Sequence, residues 1–202
     1  MSLGVNSSRP KAVAKRMTLL LRRVPLLALV VITGWFCPIS LRAEDTAATG
    51  EYQVKVAMIY NILSYVDWPA ELFSTENPPL TICVYGNGPL DRVVTTLNGR
   101  QQKGRLLTVR KISTGEDVNK CQVLVINASE KAQIATLLGK IGSAAVLTIS
   151  DLNGFAEVGG MIELSKERSR IRLEINLTAA RQHRIKISSQ LLKLARIVRD
   201  DR

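Results

Sequence analysis

The sequence predicts an α/β fold with a mixed, mostly parallel sheet, helices on both of its faces and an antiparallel hairpin at its edge. Short apolar, β-branched runs alternate with segments of helical periodicity, which is typical of parallel strands joined by helices. Later in the chain, two strand-like segments are separated only by a short polar turn, which predicts the hairpin. A chain of 202 residues is long enough for one domain of this kind.

The first 43 residues have the composition of a secretory signal peptide. Residues 9–23 hold six basic residues and no acidic one, and the apolar run 24–32 follows. Leu41-Arg42-Ala43 offers a small residue for cleavage, so we expect a signal peptide at 1–43 and a single exported domain at 44–202. A stretch of about 13 apolar residues is shorter than the roughly 20 that span a bilayer, which disfavours an uncleaved anchor.

Removal of this leader changes the charge of the protein. The whole chain holds 28 basic and 17 acidic residues, a net charge of +11, and seven of the basic residues lie within 1–43. The remaining 21 basic and 17 acidic residues give the mature chain a net charge of +4. Because nucleic-acid binding usually needs a concentrated basic face, we expect no nucleic-acid partner.

Two cysteines, Cys83 and Cys121, remain once Cys37 leaves with the leader. In an oxidising compartment an even pair favours a disulfide. The bridge would close a loop of about 40 residues and contribute roughly 3–4 kcal/mol to stability if its geometry is unstrained. Two buried free thiols are the alternative, because cysteine is often a small core residue.

The first half of the mature chain contains two helical patterns and three strand-like runs. Residues 51–68 predict a helix that Trp68-Pro69 should end. The apolar residues that follow the helical period are Tyr52, Val56, Ile59, Tyr60, Leu63 and Val66. The runs 79–85, 106–112 and 121–127 are apolar and β-branched, and they predict strands. Between the first two strands, residues 90–97 have a shorter helical pattern that ends near Gly99.

The second half begins with one more helix and strand. Ser129 is a candidate N-cap for a helix with Ile134, Leu137 and Leu138 on its inner face, and 145–150 predicts a buried strand. Residues 161–164 and 170–176 should form the edge hairpin. The strict alternation of the second segment indicates a strand with one solvent-exposed face.

A last helix is expected over 188–199. Its inner face would carry Leu191, Leu194, Ala195 and Val198, and its outer face Lys193, Arg196 and Arg199.

No motif in the chain predicts catalysis or a bound cofactor. His183 is the single histidine, and no compact set of metal ligands surrounds it in sequence. Tyr85-Gly86-Asn87-Gly88 resembles the start of a dinucleotide site, but Asp91 stands where the third glycine should be, so a tight turn is the better interpretation. Asp151 and Glu157 are interpreted as loop carboxylates, because spacing alone does not make a catalytic pair. We therefore expect no enzyme activity, no metal and no cofactor.

Several segments together resemble the YfiR-like family of small periplasmic proteins. The resemblance rests on the order and spacing of these segments and covers about residues 51–199. The segments are Tyr60-Asn61-Ile62-Leu63-Ser64-Tyr65-Val66-Asp67-Trp68-Pro69, Ile82-Cys83-Val84-Tyr85-Gly86, Val146-Leu147-Thr148-Ile149-Ser150-Asp151 with Gly154-Phe155-Ala156, Gly159-Gly160-Met161-Ile162, and Glu174-Ile175-Asn176 with 187–195.

The resemblance implies a periplasmic negative regulator, dimeric in the best-known members. Such members hold an inner-membrane diguanylate cyclase inactive through its periplasmic sensor region, and an outer-membrane peptidoglycan-binding lipoprotein can draw them off. Cyclic di-GMP signalling and biofilm formation would then respond to envelope stress. Cys83 and Cys121 match a cysteine pair of the family. Ala156 and Glu163 stand near the places of a second pair found in other members, so control through a second bridge is not expected here.

Two surfaces are candidates for contact with such a partner. One is the glycine-rich loop 154–161, chosen because it should be flexible, and the other is a basic stripe on the last helix. Together they comprise Gly154, Phe155, Gly159, Gly160, Met161, Lys186, Lys193, Arg196 and Arg199. The alternative is a periplasmic small-molecule-binding protein that serves another envelope signalling system, with a pocket for an anionic or amphipathic ligand at 184–189 and the sheet edge.

Overall fold

The computed structural model describes residues 43–73 and 78–198. The signal peptide expected at 1–43 therefore lies almost wholly outside the described residues. Within them, the chain forms five α-helices: α1 (Ala43–Leu63), α2 (Pro89–Val94), α3 (Ile134–Ile141), α4 (Leu177–Gln182) and α5 (Ser189–Leu192). None of the helices in this part of the chain is both long and apolar enough to span a membrane.

The same residues form ten strands in two sheets. They are β1 (Val66–Asp67), β2 (Leu80–Tyr85), β3 (Gln101–Gln102), β4 (Arg105–Ile112), β5 (Val123–Ile126), β6 (Leu147–Ser150), β7 (Ile162–Glu167), β8 (Arg170–Asn176), β9 (Lys186–Ile187) and β10 (Arg196–Val198). Eight of them form one sheet in the order β10-β8-β7-β6-β5-β2-β4-β3, and β1 pairs with β9 in a small second sheet.

The main sheet is mixed and mostly parallel, as the sequence predicts. Strands β4, β2, β5, β6 and β7 run parallel to one another, whereas β3 pairs antiparallel with β4, and β7 and β8 form an antiparallel hairpin in which Ile162 lies opposite Ile175. Strand β10 then pairs in parallel with the outer side of β8. The predicted hairpin is thus confirmed. Beyond it, β10 is the outermost strand on this side of the sheet.

Helices cover both faces of this sheet, because alternate residues of each strand point to opposite sides. Ile82 and Val84 belong to a core cluster beneath α1, α2 and α4, while Cys83 and Tyr85 belong to a second cluster beneath α3. The first cluster includes α1 residues from the predicted helical stripe: Val56, Ile59 and Leu63. The prediction of a two-faced α/β core is therefore confirmed.

The first predicted helix is too long at its C-terminal end. It stops at Leu63, and Val66 and Asp67 instead pair with Ile187 and Lys186 as β1 and β9. The apolar spacing alone did not reveal this end, because Val66 is buried whether it continues a helix or begins a strand.

The last predicted helix is wrong beyond its first turn. Helix α5 ends at Leu192, and residues 196–198 form β10, where Arg196 lies beside Glu174 and Val198 beside Asn176. Leu194, which the helix would have placed inward, is 77% exposed. Pairing with β8 gives this segment backbone hydrogen bonds that a surface helix would have had to supply locally.

Two smaller expectations also differ from the structure. Ser129 is not a helix cap: it lies within a 3-10 turn at Ala128–Gln133, and its hydroxyl hydrogen-bonds to the carbonyl oxygen of Asn87. Strand β8 has a solvent-exposed face only at its start, because Glu174 and Asn176 near its end are buried. Strand β10 and the loop 154–161 adjoin that end of β8.

Candidate functional site

The structure joins Cys83 and Cys121 in a disulfide, as predicted. Their Cα atoms are 5.8 Å apart, and both residues are buried in the core cluster beneath α3. Cys83 lies on β2 and Cys121 directly before β5, so the bridge ties together two neighbouring strands at the centre of the sheet. This position supports a structural role for the bond.

The loop 154–161 is held in place rather than flexible. The Met161 amide donates to Oγ1 of Thr148 at 2.9 Å, and Nδ2 of Asn176 donates to the carbonyl oxygen of Ala156 at 2.8 Å. The Ala156 amide also donates to Oε2 of Glu163 at 3.2 Å. Ala156 and Glu163 stand near the places of the second cysteine pair in the family resemblance, and a hydrogen bond links them here.

Burial places three of the loop's candidate contacts inside the domain. Phe155 and Met161 are at most 1% exposed, and a Cβ atom at Gly160 would overlap the Phe155 ring. Glycine at 160 is therefore needed for Phe155 to enter the core. Gly154 and Gly159 are only half-buried, and the loop side chains that face solvent are those of Glu157 and Val158, which the sequence analysis did not single out.

The basic stripe does not lie along a helix. Lys186 is on β9, Lys193 follows α5, and Arg196 is on β10; all three are exposed. Arg199 lies outside the described residues. Nη1 of Arg196 approaches Oε1 of the buried Glu174 at 3.3 Å, which orients the guanidinium along the sheet edge.

Residues 193–198 instead form a turn and the short strand β10, which expose apolar and basic side chains. Leu194 is 77% and Ile197 40% exposed, and Lys193 and Arg196 flank them. Among the described residues, no strand pairs with the outer side of β10. We call Lys193, Leu194, Arg196 and Ile197 the β10 edge. An unpaired strand edge with exposed apolar residues is a suitable template for another chain.

The segment 184–189, which was expected to help form a ligand pocket, contacts other parts of the domain. Residues 186 and 187 form β9 against β1, and Arg184 pairs with Glu71 at 3.1 Å. His183 ends α4, and its Nδ1 lies 2.8 Å from the carbonyl oxygen of Ala144. These contacts fix the segment to the rest of the domain.

A buried ion cluster ties α1 to the sheet. Nζ of Lys55 lies 2.8 Å from Oε1 of Glu51 and 3.3 Å from Oδ2 of Asp151, and Lys166 contacts the other oxygen of Glu51 at 2.7 Å. Burial opposes the charge on Lys55, but the two carboxylates outweigh it and raise the pKa of the ammonium. Asp151 also accepts from the Ala128 amide at 3.0 Å, so this carboxylate has a structural role.

In the described part of the chain, no group of three or more His, Cys, Asp and Glu side chains is placed to hold a metal ion. The arrangement offers surfaces and hydrogen bonds rather than a set of converging reactive groups. Lys193 and Arg196, two of the predicted contacts, lie together at the β10 edge: Arg196 and Ile197 belong to the strand, and Lys193 and Leu194 to the turn before it.

Comparison with known protein families is consistent with this architecture. The family model described as YfiR/HmsC-like matches residues 52–196, which extend from within α1 to the first residue of β10. The match covers most of the sequence and both cysteines of the disulfide, and it ends at the first residue of the edge strand. The chain therefore belongs to the YfiR/HmsC-like family.

Proposed function

We propose that this protein is a non-enzymatic periplasmic regulator that represses a membrane-bound diguanylate cyclase by binding its periplasmic sensor region. Membership of the YfiR/HmsC-like family supports a periplasmic regulatory role. The composition of residues 1–43 supports export through a cleaved signal peptide. Repression would lower cyclic di-GMP output and thereby limit biofilm formation.

The observation that carries the proposal is the β10 edge. Its two apolar side chains can be buried by a partner, and Lys193 and Arg196 beside them favour an acidic partner surface. An extended segment of the sensor can add to β10 as a further strand, because backbone hydrogen bonds provide affinity and the flanking side chains provide specificity. The occupant of the edge is thus an acidic, extended segment of the sensor.

Repression then requires only that the protein bind the inactive state of the sensor more tightly than the active state. A ligand shifts a two-state equilibrium by no more than its difference in affinity for the two states, and a few kcal/mol is sufficient. A homodimer would present two such edges to a dimeric sensor. An outer-membrane peptidoglycan-binding lipoprotein would relieve repression by competing for the protein.

The test measures binding of the exported protein, purified from the periplasm, to the purified periplasmic region of a diguanylate cyclase from the same cell. Lys193→Glu combined with Leu194→Ser should weaken binding by about tenfold or more, a loss near 1.4 kcal/mol. Lys140→Glu is the matched control, because Lys140 is also exposed but lies on α3. Unchanged binding by the β10-edge variant would exclude this surface, and no binding by the parent protein would contradict the proposed function.

A further inference from the structure

A small polar crevice opens beside β2, where the chain stops adding strands on one side of the main sheet and starts adding them on the other. The chain passes from β2 to β4 on one side and then returns to β5 on the other side of β2. In open parallel α/β sheets, ligands bind outside the carboxyl ends of the strands at such a switch point. The crevice lies at this place, has a volume of about 180 Å³, and is lined by residues that follow β2, β4 and β5.

Hydrogen bonds between these three segments hold the walls of the crevice in place. The Tyr85 hydroxyl donates to Oε1 of Gln133 at 2.7 Å and lies 2.8 Å from Oγ1 of Thr114. Nε2 of Gln133 donates to Oε2 of Glu130 at 3.4 Å. The polar groups are therefore positioned before any ligand arrives, which lowers the entropy cost of binding.

Gly86 determines where the Glu130 carboxylate lies. Its φ of +85° is in the left-handed region that favours glycine, and a Cβ atom there would overlap the Glu130 side chain. The glycine thus lets Glu130 approach the end of β2 closely. This explains the Gly-x-Gly sequence without a dinucleotide, which a crevice of this size would not enclose.

The charges in the crevice indicate the kind of ligand. Nζ of Lys111 is shared between Oδ1 of Asn87 and Oδ2 of Asp91, so the charge of Asp91 is already balanced. The Glu130 carboxylate accepts from Nε2 of Gln133 and lies 3.1 Å from the Ser129 hydroxyl, whose single proton is also within reach of the Asn87 carbonyl oxygen. Among the described residues no cationic side chain lies within 4.0 Å of this carboxylate. One negative charge at this site is available to a cationic ligand group.

We propose that this crevice binds a small molecule with a primary ammonium group, no larger than an amino acid. The ammonium donates to Glu130, and the rest of the ligand contacts Asn87 and the Tyr85 hydroxyl. A free amino acid and a short diamine share the ammonium group. Lys111 distinguishes them, because only the amino acid has a carboxylate that this lysine can bind.

Isothermal titration calorimetry on the exported protein, with probes at up to about 10 mM to detect weak binding, tests the proposal. The probes are glycine, L-serine and 1,4-diaminobutane, with acetate as the anion that lacks an ammonium group. We expect saturable heat from at least one ammonium probe and none from acetate. Lys111→Met should abolish binding of the amino acids and leave binding of the diamine, if the amino acids are the ligands.

Glu130→Gln should weaken binding of any active probe by about tenfold or more, because it removes the charge from the hydrogen bond to the ammonium. Glu157→Gln is the matched control: Glu157 is exposed and lies on the loop 154–161, away from the lining. Silence of all three ammonium probes, or equal binding by Glu130→Gln and the parent, would overturn the proposal. The measurement needs no cyclase, so its failure leaves the proposed regulatory function untouched.

Discussion

The two ends of the eight-stranded sheet differ in how their backbone groups are satisfied. At the end formed by β4 and the two-residue strand β3, which we call the β4 end, Leu106 is 51% exposed but the backbone is largely covered. The amide of Val109 donates to Oδ1 of Asn98, and Leu107 exchanges backbone hydrogen bonds with Gly99 and Arg100. At the β10 end, the described chain supplies no outer partner for the strand, and Leu194 and Ile197 are exposed. Natural proteins usually cover or charge their strand edges. The difference suggests that the β4 end serves stability and the β10 end serves recognition.

Removal of the disulfide, which anchors β2, the neighbour of β4 in the sheet, should have the largest effect on stability. We expect Cys83→Ala with Cys121→Ala to lose about 3–4 kcal/mol of unfolding free energy, since the bridge closes a long loop in the unfolded chain. Urea unfolding measures this loss. Partner binding by the folded fraction should stay at the parent level. A loss below about 1 kcal/mol would show that the bridge contributes little to the β4 side of the sheet.

Asn98→Ala should have a smaller effect at the same end. It removes the acceptor of the Val109 amide, and a lost hydrogen bond of this kind costs about 1 kcal/mol. Asn119→Ala provides the control, because the side chain of Asn119 is exposed beyond β4. Equal unfolding free energies for the two variants would mean that water replaces the Asn98 side chain at no cost, and that the β4 edge is less protected than we infer.

Acid should weaken the β4 end through Asp91, which pairs with Lys111 of β4 at 2.8 Å. Burial alone would raise the pKa of Asp91, but the hydrogen bond and charge of Lys111 outweigh burial and lower it. A carboxyl group whose pKa is lowered on folding stabilises the protein above its ordinary pKa of 3.8, and this contribution is lost as the pH falls below that value. The contribution should be about 0.5–1 kcal/mol, because Lys111 is half exposed.

Unfolding free energies of the parent and Asp91→Asn, measured from neutral pH down to pH about 3, test this prediction. The parent should lose more stability than the variant over that range. Glu157→Gln should follow the parent, since Glu157 is exposed on the loop 154–161. If the unfolding free energies of the parent and Asp91→Asn fall equally with pH, the Asp91–Lys111 ion pair does not stabilise the β4 end.

The smallest change in stability should come from the β10 edge. Leu194→Ser should alter the unfolding free energy by no more than about 0.5 kcal/mol, because a side chain that is 77% exposed loses little packing. The same variant should bind the sensor more weakly. Val158→Ser, at a position 52% exposed on another surface, should change neither quantity. A large loss of stability in Leu194→Ser would show that Leu194 supports the fold, which would remove the contrast between the two ends.

The parallel part of the sheet could be predicted from local sequence, but the end of the chain could not. Runs such as 123–126 are apolar and β-branched, so their burial on both faces follows from composition. The spacing of Leu191, Leu194, Ala195 and Val198 fits a helix as well as it fits a turn followed by a strand. The choice depends on pairing with β8, a contact between segments about 20 residues apart that periodicity does not record.

The exposure of only some of the candidate contacts could be predicted, because the burial of the others again depends on contacts formed in the fold. Exposure of Lys186, Lys193 and Arg196 follows from their charge, whereas burial of Phe155 depends on the space left by Gly160 five residues later. A signal was present in the sequence, since the one aromatic residue of a glycine-rich loop is a candidate core anchor. The crevice beside Gly86 could not be located from sequence, because it requires the carboxyl ends of three strands to be neighbours.

The position of β10 in chain order affects when the proposed recognition surface forms during synthesis. Residues 196–198 are synthesised after strands β2 to β8 and after both cysteines of the disulfide. A product truncated after α5 would keep strands β1 to β9 and lack the β10 edge. Under the proposed function, such a fragment would not bind the sensor through this edge.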